Sequence, residues 1–175
     1  MLQSMNYRCM KKACIMQMPF RSLLLLVLMS LFIQGVSGSD LYLDPAGAQG
    51  KLVIVGGGEV PRQARGQFVQ WAGGSAAKIV IVTTASDDAG TDKQNRFKEP
   101  WSDLDINSVM LLHAHSRELA NSEEITTQLQ QATGIWFVGG SQQRIIDIYV
   151  GTKFEGELEQ LLKRGGVIGG TSAGA

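Results

Sequence analysis

Five short apolar runs recur along the chain, separated by longer and more polar segments. They lie at residues 51–55, 78–83, 108–112, 135–138 and 166–168. Runs of this length that are rich in valine and isoleucine are typical of strands buried on both faces, as in parallel sheets. Parallel strands need crossover connections, so the segments between them should contain helices. The alternation therefore predicts an α/β fold with a doubly wound, mostly parallel sheet.

Helix signals occupy four of the intervening stretches, at residues 61–71, 122–131, 144–149 and 154–164. Pro61 stands where a first helical turn accepts proline, and the paired glycines after Trp71 end that helix. Ser122 is a favourable N-cap, and two glutamates follow it in the first turn. The segment after the second run has a weaker helical pattern and is interrupted by Pro100.

The last nine residues contain the most informative motif. The fifth apolar run leads into Gly170-Thr171-Ser172-Ala173-Gly174, which fits the pattern G-x-S-x-G. In a nucleophile elbow, this serine lies on a strained turn between a strand and a helix, with its hydroxyl exposed above the sheet. The N–H of Ala173 would then face the developing oxyanion, beside the positive end of the following helix. The alternative is a glycine-rich turn with a bystander serine.

Glycine pairs also follow the first and fourth strands, at residues 56–58 and 139–140. The carboxyl ends of parallel strands form the ligand crevice of open α/β sheets, so these loops should converge beside Ser172. An N–H of Gly140 or Ser141 could be the second oxyanion donor. Gln142 could orient an amide or carboxylate of the substrate, or it could be a surface residue at a helix entry. The first loop is not a dinucleotide fingerprint, because Pro61 occupies the position of its last glycine.

A serine nucleophile needs a base, and the chain has only two histidines, His113 and His115. Both follow the third strand, at a plausible edge of the site. In extended backbone, alternation places both on one face, which makes them weak candidates. Asp87 and Asp88 follow the second strand and are interpreted as part of a solvated loop.

Charge and cysteine content restrict the partners. The formal net charge is zero, but residues 1–38 hold four basic residues and no acidic one, so the remainder has a net charge of −4. A mildly acidic domain argues against nucleic acid as a partner. Both cysteines, Cys9 and Cys14, lie near the N-terminus, so no thiol nucleophile, disulfide framework or cysteine zinc site is expected in the remainder. No metal or cofactor is predicted.

The first 38 residues have the pattern of a signal peptide. A basic region precedes a twelve-residue apolar run at residues 22–33, and small residues follow it. The run is shorter than the ~20 residues of a membrane span. The pattern predicts cleavage before Ser39 and export to the periplasm or the extracellular space. An uncleaved N-terminal anchor is the alternative.

Long parts of residues 50–175 resemble cyanophycinases, serine peptidases of family S51 related to aspartyl dipeptidases. The resemblance is carried by residues 51–59, 78–86, 134–142, 151–152 and 165–175. It implies a flavodoxin-like sheet akin to class I glutamine amidotransferases, and a metal-independent exopeptidase that forms homodimers. The implied reaction is hydrolysis of cyanophycin, an arginine-bearing polyaspartate, to β-Asp-Arg dipeptides. Ser172 matches the nucleophile, Gln142 a substrate-binding residue, and Ala173 with the Gly140 region the oxyanion hole.

Two features depart from that family. Ser141 stands where these peptidases usually carry aspartate, which affects the expected substrate preference. Their catalytic histidine and acid lie downstream of the nucleophile, whereas this sequence ends three residues after Ser172. Residues 39–175 are therefore expected to be the N-terminal part of such a domain, truncated at the C-terminus and with little or no activity alone. Alternatives are a non-catalytic binding module, or another serine hydrolase on a similar, amidotransferase-like sheet.

Overall fold

The computed structural model describes residues 48–175, which fold around one parallel β-sheet. Its strands are β1 (Lys51–Val55), β2 (Lys78–Val82), β3 (Ser108–Leu112), β4 (Gly134–Phe137) and β5 (Val167–Thr171). They are ordered β1-β5-β4-β2-β3, and every neighbouring pair is parallel. The prediction of a parallel α/β sheet is confirmed, and β5 lies between the two strands that end in glycine pairs.

Helices connect the strands at the predicted places. They are α1 (Arg62–Trp71), α2 (Arg117–Ala120), α3 (Glu123–Gln131), α4 (Gln142–Tyr149) and α5 (Lys153–Lys163). The sequence did not predict α2, although Ser116 caps it by accepting the N–H of Leu119. The weak segment around Pro100 forms two 3-10 helices, Asp92–Phe97 and Glu99–Trp101.

Each face of the sheet carries its own aromatic cluster. On one face, Phe68 of α1, Trp101 and Trp136 pack edge to face, with centroids 5.2–5.5 Å apart. On the other, Phe137 packs against Phe154, and Tyr149 of α4 stacks on the same Phe154 ring. Residues 136 and 137 are consecutive in β4, so their side chains point to opposite faces. Both clusters anchor β4 firmly, and its carboxyl end borders the candidate site.

Strand β1 departs from the prediction that it is buried on both faces. The side chains of Leu52 and Ile54 are 59% and 73% exposed, because no element within residues 48–175 packs on that face. Together with Ile146 of α4 and Ile168 they line a largely apolar cavity of about 330 Å³. An exposed apolar face on an edge strand favours association between copies, so the isolated chain is expected to aggregate.

The double variant Leu52→Thr with Ile54→Lys should reduce this association. We expect the fluorescence of a bound hydrophobic dye to fall by about half or more, and larger species to decrease in sedimentation, since an inserted charge opposes edge pairing. Met110→Thr is the matched control, because Met110 is a single exposed apolar side chain on β3, at the opposite edge. Dye binding that is unchanged in the double variant would rule out this face as its cause.

The predicted signal peptide, with its alternative as an anchor, lies outside the described residues. Within residues 48–175, none of the helices combines the length and apolarity that crossing a bilayer requires.

Candidate active site

Ser172 has the backbone conformation that a nucleophile elbow requires. Its φ is +54°, and it is the one non-glycine residue with a positive φ between residues 48 and 175. This left-handed conformation costs about 1–2 kcal/mol in a residue with a side chain. It occurs where β5 ends and a single 3-10 turn, Ser172–Gly174, begins. The side chain is exposed at the carboxyl edge of the sheet.

Close packing of the backbone explains both glycines of the motif. A Cβ on Gly170 would overlap the carbonyl oxygen of Gly174. A Cβ on Gly174 would lie 2.6 Å from the Phe137 carbonyl oxygen and 2.7 Å from that of Val138. Real Cβ atoms do not approach backbone oxygens so closely, so the turn can press against the end of β4 only with glycine at both positions.

The three glycine loops meet at Ser172, as their places at neighbouring strand ends predicted. A Cβ on Gly139, after β4, would lie 3.0 Å from the Ser172 Cβ and 3.5 Å from its Oγ. On the other side, the Thr171 hydroxyl donates a hydrogen bond of 3.0 Å to the carbonyl of Gly56, after β1. The serine therefore sits between the exits of both neighbouring strands.

A cavity of about 600 Å³ opens beside Ser172. Its size is within the range of small-molecule and peptide sites. Gly58 and Gly139 line it next to the serine, and Trp101 and Trp136 form an apolar part of the wall. The hydroxyl thus faces a space large enough for a dipeptide unit.

The charged residues of the cavity wall are unequally compensated. Arg65 forms an ion pair of 3.0 Å with Asp103, and Arg96 pairs with Asp88. Glu59 and Glu99 also line the cavity, and neither has an ion-pair partner among residues 48–175. The wall therefore has an excess of negative charge, which favours a cationic group in the cavity.

Two N–H groups remain as candidates for an oxyanion hole. Ala173 lies in the first turn of its 3-10 helix, where an N–H has no acceptor within the helix. Gly140 has φ +143° and no backbone acceptor among the described residues. The N–H of Ser141, predicted as an alternative donor, instead donates to the carbonyl of Ala85 at 2.8 Å. That bond removes Ser141 from the hole and leaves Gly140.

Comparison with known proteins identifies the family. A family model for Peptidase family S51 matches residues 52–175. The chain belongs to this family. It is 32% identical over 148 residues to the cyanophycinases of Synechococcus elongatus and Thermosynechococcus vestitus, which covers 77% of this chain. The matched region is 45% of each relative, so the chain spans slightly less than half their length.

A solved structure supports the fold of this S51 chain. The crystal structure of a peptidase from an acI-B1 Actinobacterium superposes with a TM-score of 0.59 at 22% sequence identity. The superposition covers 71% of this chain and 54% of that one. At this level of identity the likeness concerns the fold alone.

Ser141 of the S51 chain has a structural role that explains its departure from aspartate. Its hydroxyl accepts the N–H of Arg144 at 3.3 Å and caps α4, which starts at Gln142, two residues before the predicted start. Serine and aspartate are both strong N-caps, so this exchange preserves the helix start while it removes a negative charge.

Gln142 of the S51 chain does not line the cavity of Ser172. It is exposed, and it borders the apolar cavity between β1 and α4 together with Gly170 and Ala173. Its contribution to substrate binding stays a prediction.

The two histidines lie at the far side of the sheet. They follow β3, whereas Ser172 follows β5, and the two strands between them imply a separation of about 14 Å. Burial lowers the pKa of His113 below its usual range, and the positive charges of His115 and Arg144 lower it further. Neither histidine is placed to serve Ser172 as a base. Between residues 48 and 175 no three His, Cys, Asp or Glu side chains are grouped to hold a metal ion.

Three features were missed by the sequence. Glu99, in an unremarked 3-10 helix, lines the cavity. Asp87 and Asp88, interpreted as solvated, form ion pairs with Arg144 and Arg96. Such pairs join residues distant in sequence, and no local pattern indicates them.

Proposed function

We propose that this protein is a serine exopeptidase of the cyanophycinase type, which hydrolyses an Asp/Arg peptide such as cyanophycin to β-Asp-Arg dipeptides. The observation that carries the proposal is the left-handed, exposed Ser172, held between the exits of β1 and β4 at the mouth of a cavity. Membership of Peptidase family S51 and the named cyanophycinase relatives support the reaction class.

In the proposed reaction, the Oγ of Ser172 attacks the peptide carbonyl carbon as its proton passes to a base. The carbonyl oxygen becomes an oxyanion, which accepts hydrogen bonds from the N–H groups of Ala173 and Gly140. The tetrahedral intermediate collapses, the C–N bond breaks, and the amine leaves with a proton. Water then hydrolyses the acyl ester and restores the serine.

The base in this mechanism comes from outside residues 48–175. His113 and His115 lie three strand positions from Ser172, beyond the roughly 3 Å that proton transfer needs. For the same reason we expect the 175-residue chain alone to react slowly with a serine-directed fluorophosphonate.

The proposal is tested by incubating the full-length protein with cyanophycin and following dipeptides by mass spectrometry. Release of β-Asp-Arg supports it. Intact polymer after prolonged incubation with a folded protein would refute it.

The substrate preference has a separate test in Glu59 and Glu99. Because each exposed ion pair contributes about 0.2–1 kcal/mol, replacing both residues by glutamine should raise KM about fivefold, with kcat little changed. The effect should vanish for a peptide in which citrulline replaces arginine. Glu124→Gln on α3 is the matched control, since Glu124 is exposed and outside the cavity. An unchanged KM for the arginine substrate would contradict this assignment.

A second candidate function is non-catalytic binding of the same peptides. It is favoured by one observation, that neither histidine among residues 48–175 approaches Ser172. Saturable binding of β-Asp-Arg without any turnover by the full-length protein would establish it.

We also propose, from the sequence and the family resemblance, that the protein is exported and forms a homodimer. An N-terminus at Ser39 in protein recovered from the periplasm or medium would support cleavage and export. Sedimentation analysis of the full-length protein would test the dimer.

A further inference from the structure

We propose that Arg144 is a positioning residue that holds the Gly140–Ser141 peptide in place for catalysis. The inference rests on the proposed function. Arg144 lies in the first turn of α4, and its Nη1 donates to three consecutive carbonyls, those of Thr84 (3.3 Å), Ala85 (3.2 Å) and Ser86 (3.1 Å). Its Nη2 donates to the Asp87 carboxylate at 2.8 Å.

These contacts fasten the exit loop of β2 to the start of α4. The three carbonyl dipoles converge on one nitrogen, and they would repel one another without a cation between them. Charge-assisted hydrogen bonds from a planar guanidinium suit this arrangement, because the fork serves the carbonyls and the carboxylate together. Residues 84–86 are buried, so water does not readily replace the guanidinium.

The middle carbonyl connects this clamp to the candidate oxyanion hole. The Ala85 oxygen accepts the Ser141 N–H at 2.8 Å as well as the Arg144 bond. A Cβ on Gly140 would overlap the same oxygen, so the Gly140 backbone rests directly on it. The position of Ala85 therefore fixes the peptide that follows Gly140, and with it the direction of the neighbouring N–H.

This chain of contacts predicts an effect on turnover rather than on substrate binding. Arg144 does not line the cavity of Ser172, so its loss leaves the binding surface in place. A loosened Gly140–Ser141 peptide would misalign a donor that acts on the transition state. Misplacements of about 1 Å in such groups cost up to about 100-fold in rate.

The test compares Arg144→Met, Arg144→Lys and a control, Arg164→Met. Arg164 also donates to two backbone carbonyls, those of Leu129 (2.9 Å) and Ala132 (3.1 Å), but it lies just before β5, at the end of the sheet opposite Ser172. It therefore matches Arg144 in chemistry and differs in place. Hydrogen exchange of the Ser141 amide is measured by NMR in the 175-residue chain, and kcat and KM are measured in the full-length protein.

We expect Arg144→Met to speed exchange of the Ser141 amide about tenfold or more and to lower kcat about 10- to 100-fold, with KM changed less than threefold. Arg144→Lys should recover part of both losses, because lysine can reach carbonyls but not form the complete fork. Arg164→Met should leave the Ser141 amide and kcat unchanged.

Unchanged Ser141 exchange in Arg144→Met would overturn the proposal, as would a kcat loss that Arg164→Met reproduces. Exchange alone decides whether Arg144 holds the peptide, whether or not the protein hydrolyses its substrate. A wild-type protein with no turnover would refute the proposed function and the catalytic part of this inference together, whereas normal turnover with unaltered kcat in Arg144→Met would refute the inference alone.

Discussion

Replacing Ser172 with alanine is expected to lower kcat of peptide hydrolysis by about a millionfold, as loss of the nucleophile does in other serine peptidases. Without the Oγ no acyl ester forms, and only binding and the oxyanion donors remain. The fold should persist, because the side chain is exposed and outside the core. Dipeptide release by the full-length protein measures the loss.

The matched control is Ser75→Ala, in an exposed 3-10 turn before β2, which should leave kcat unchanged. A Ser172→Ala protein that retains more than about 1% of the activity would mean that another group attacks the substrate. Ser172→Gly should be equally inactive yet more stable by about 1 kcal/mol, since glycine adopts φ +54° without strain. That gain would show that the strain is stored at the reacting residue.

The second large effect is expected for Gly140→Ala. The φ of +143° and the overlap of a Cβ with the Ala85 carbonyl act together, so the free energy of unfolding should fall by about 4 kcal/mol. Hydrolysis should fall by about 100-fold or more, because the Gly140 N–H is a proposed oxyanion donor. Urea denaturation of the 175-residue chain and kinetics of the full-length protein measure the two effects.

Gly156→Ala is its control. Gly156 is exposed in the middle of α5, and a Cβ there meets no atom within 4 Å. Alanine at that position should raise stability by about 0.5–1 kcal/mol, since glycine weakens a helix interior. A Gly140→Ala chain as stable as wild type would contradict the described packing of the β2 and β4 exit loops.

Strand positions could be predicted from the sequence because buried parallel strands require unbroken apolar runs. The same rule failed for one face of β1, since apolarity shows that a surface needs cover and not which element supplies it. The start of α4 was placed too late because the capping hydroxyl of Ser141 lies inside a glycine-rich loop that resembled an open turn. Local rules thus located the elements better than their neighbours.

At the candidate site, Ser172 could be found because its strained turn demands glycines at fixed spacing. The choice between Gly140 and Ser141 as donor could not be made, because it depends on the Ala85 carbonyl more than fifty residues earlier in the chain. Arg144 carries no motif, and its four hydrogen bonds all go to residues 84–87. Contacts of this kind arise from strand order, which places β2 beside β4.

The most direct measurement is mass-spectrometric peptide mapping of the full-length protein after reaction with a serine-directed fluorophosphonate. We expect a single phosphonyl adduct, on Ser172, and none after denaturation, because a denatured chain does not hold the hydroxyl between the two oxyanion donors. An adduct on another serine, or hydrolysis that continues after complete labelling of Ser172, would contradict the assignment of this residue as the nucleophile.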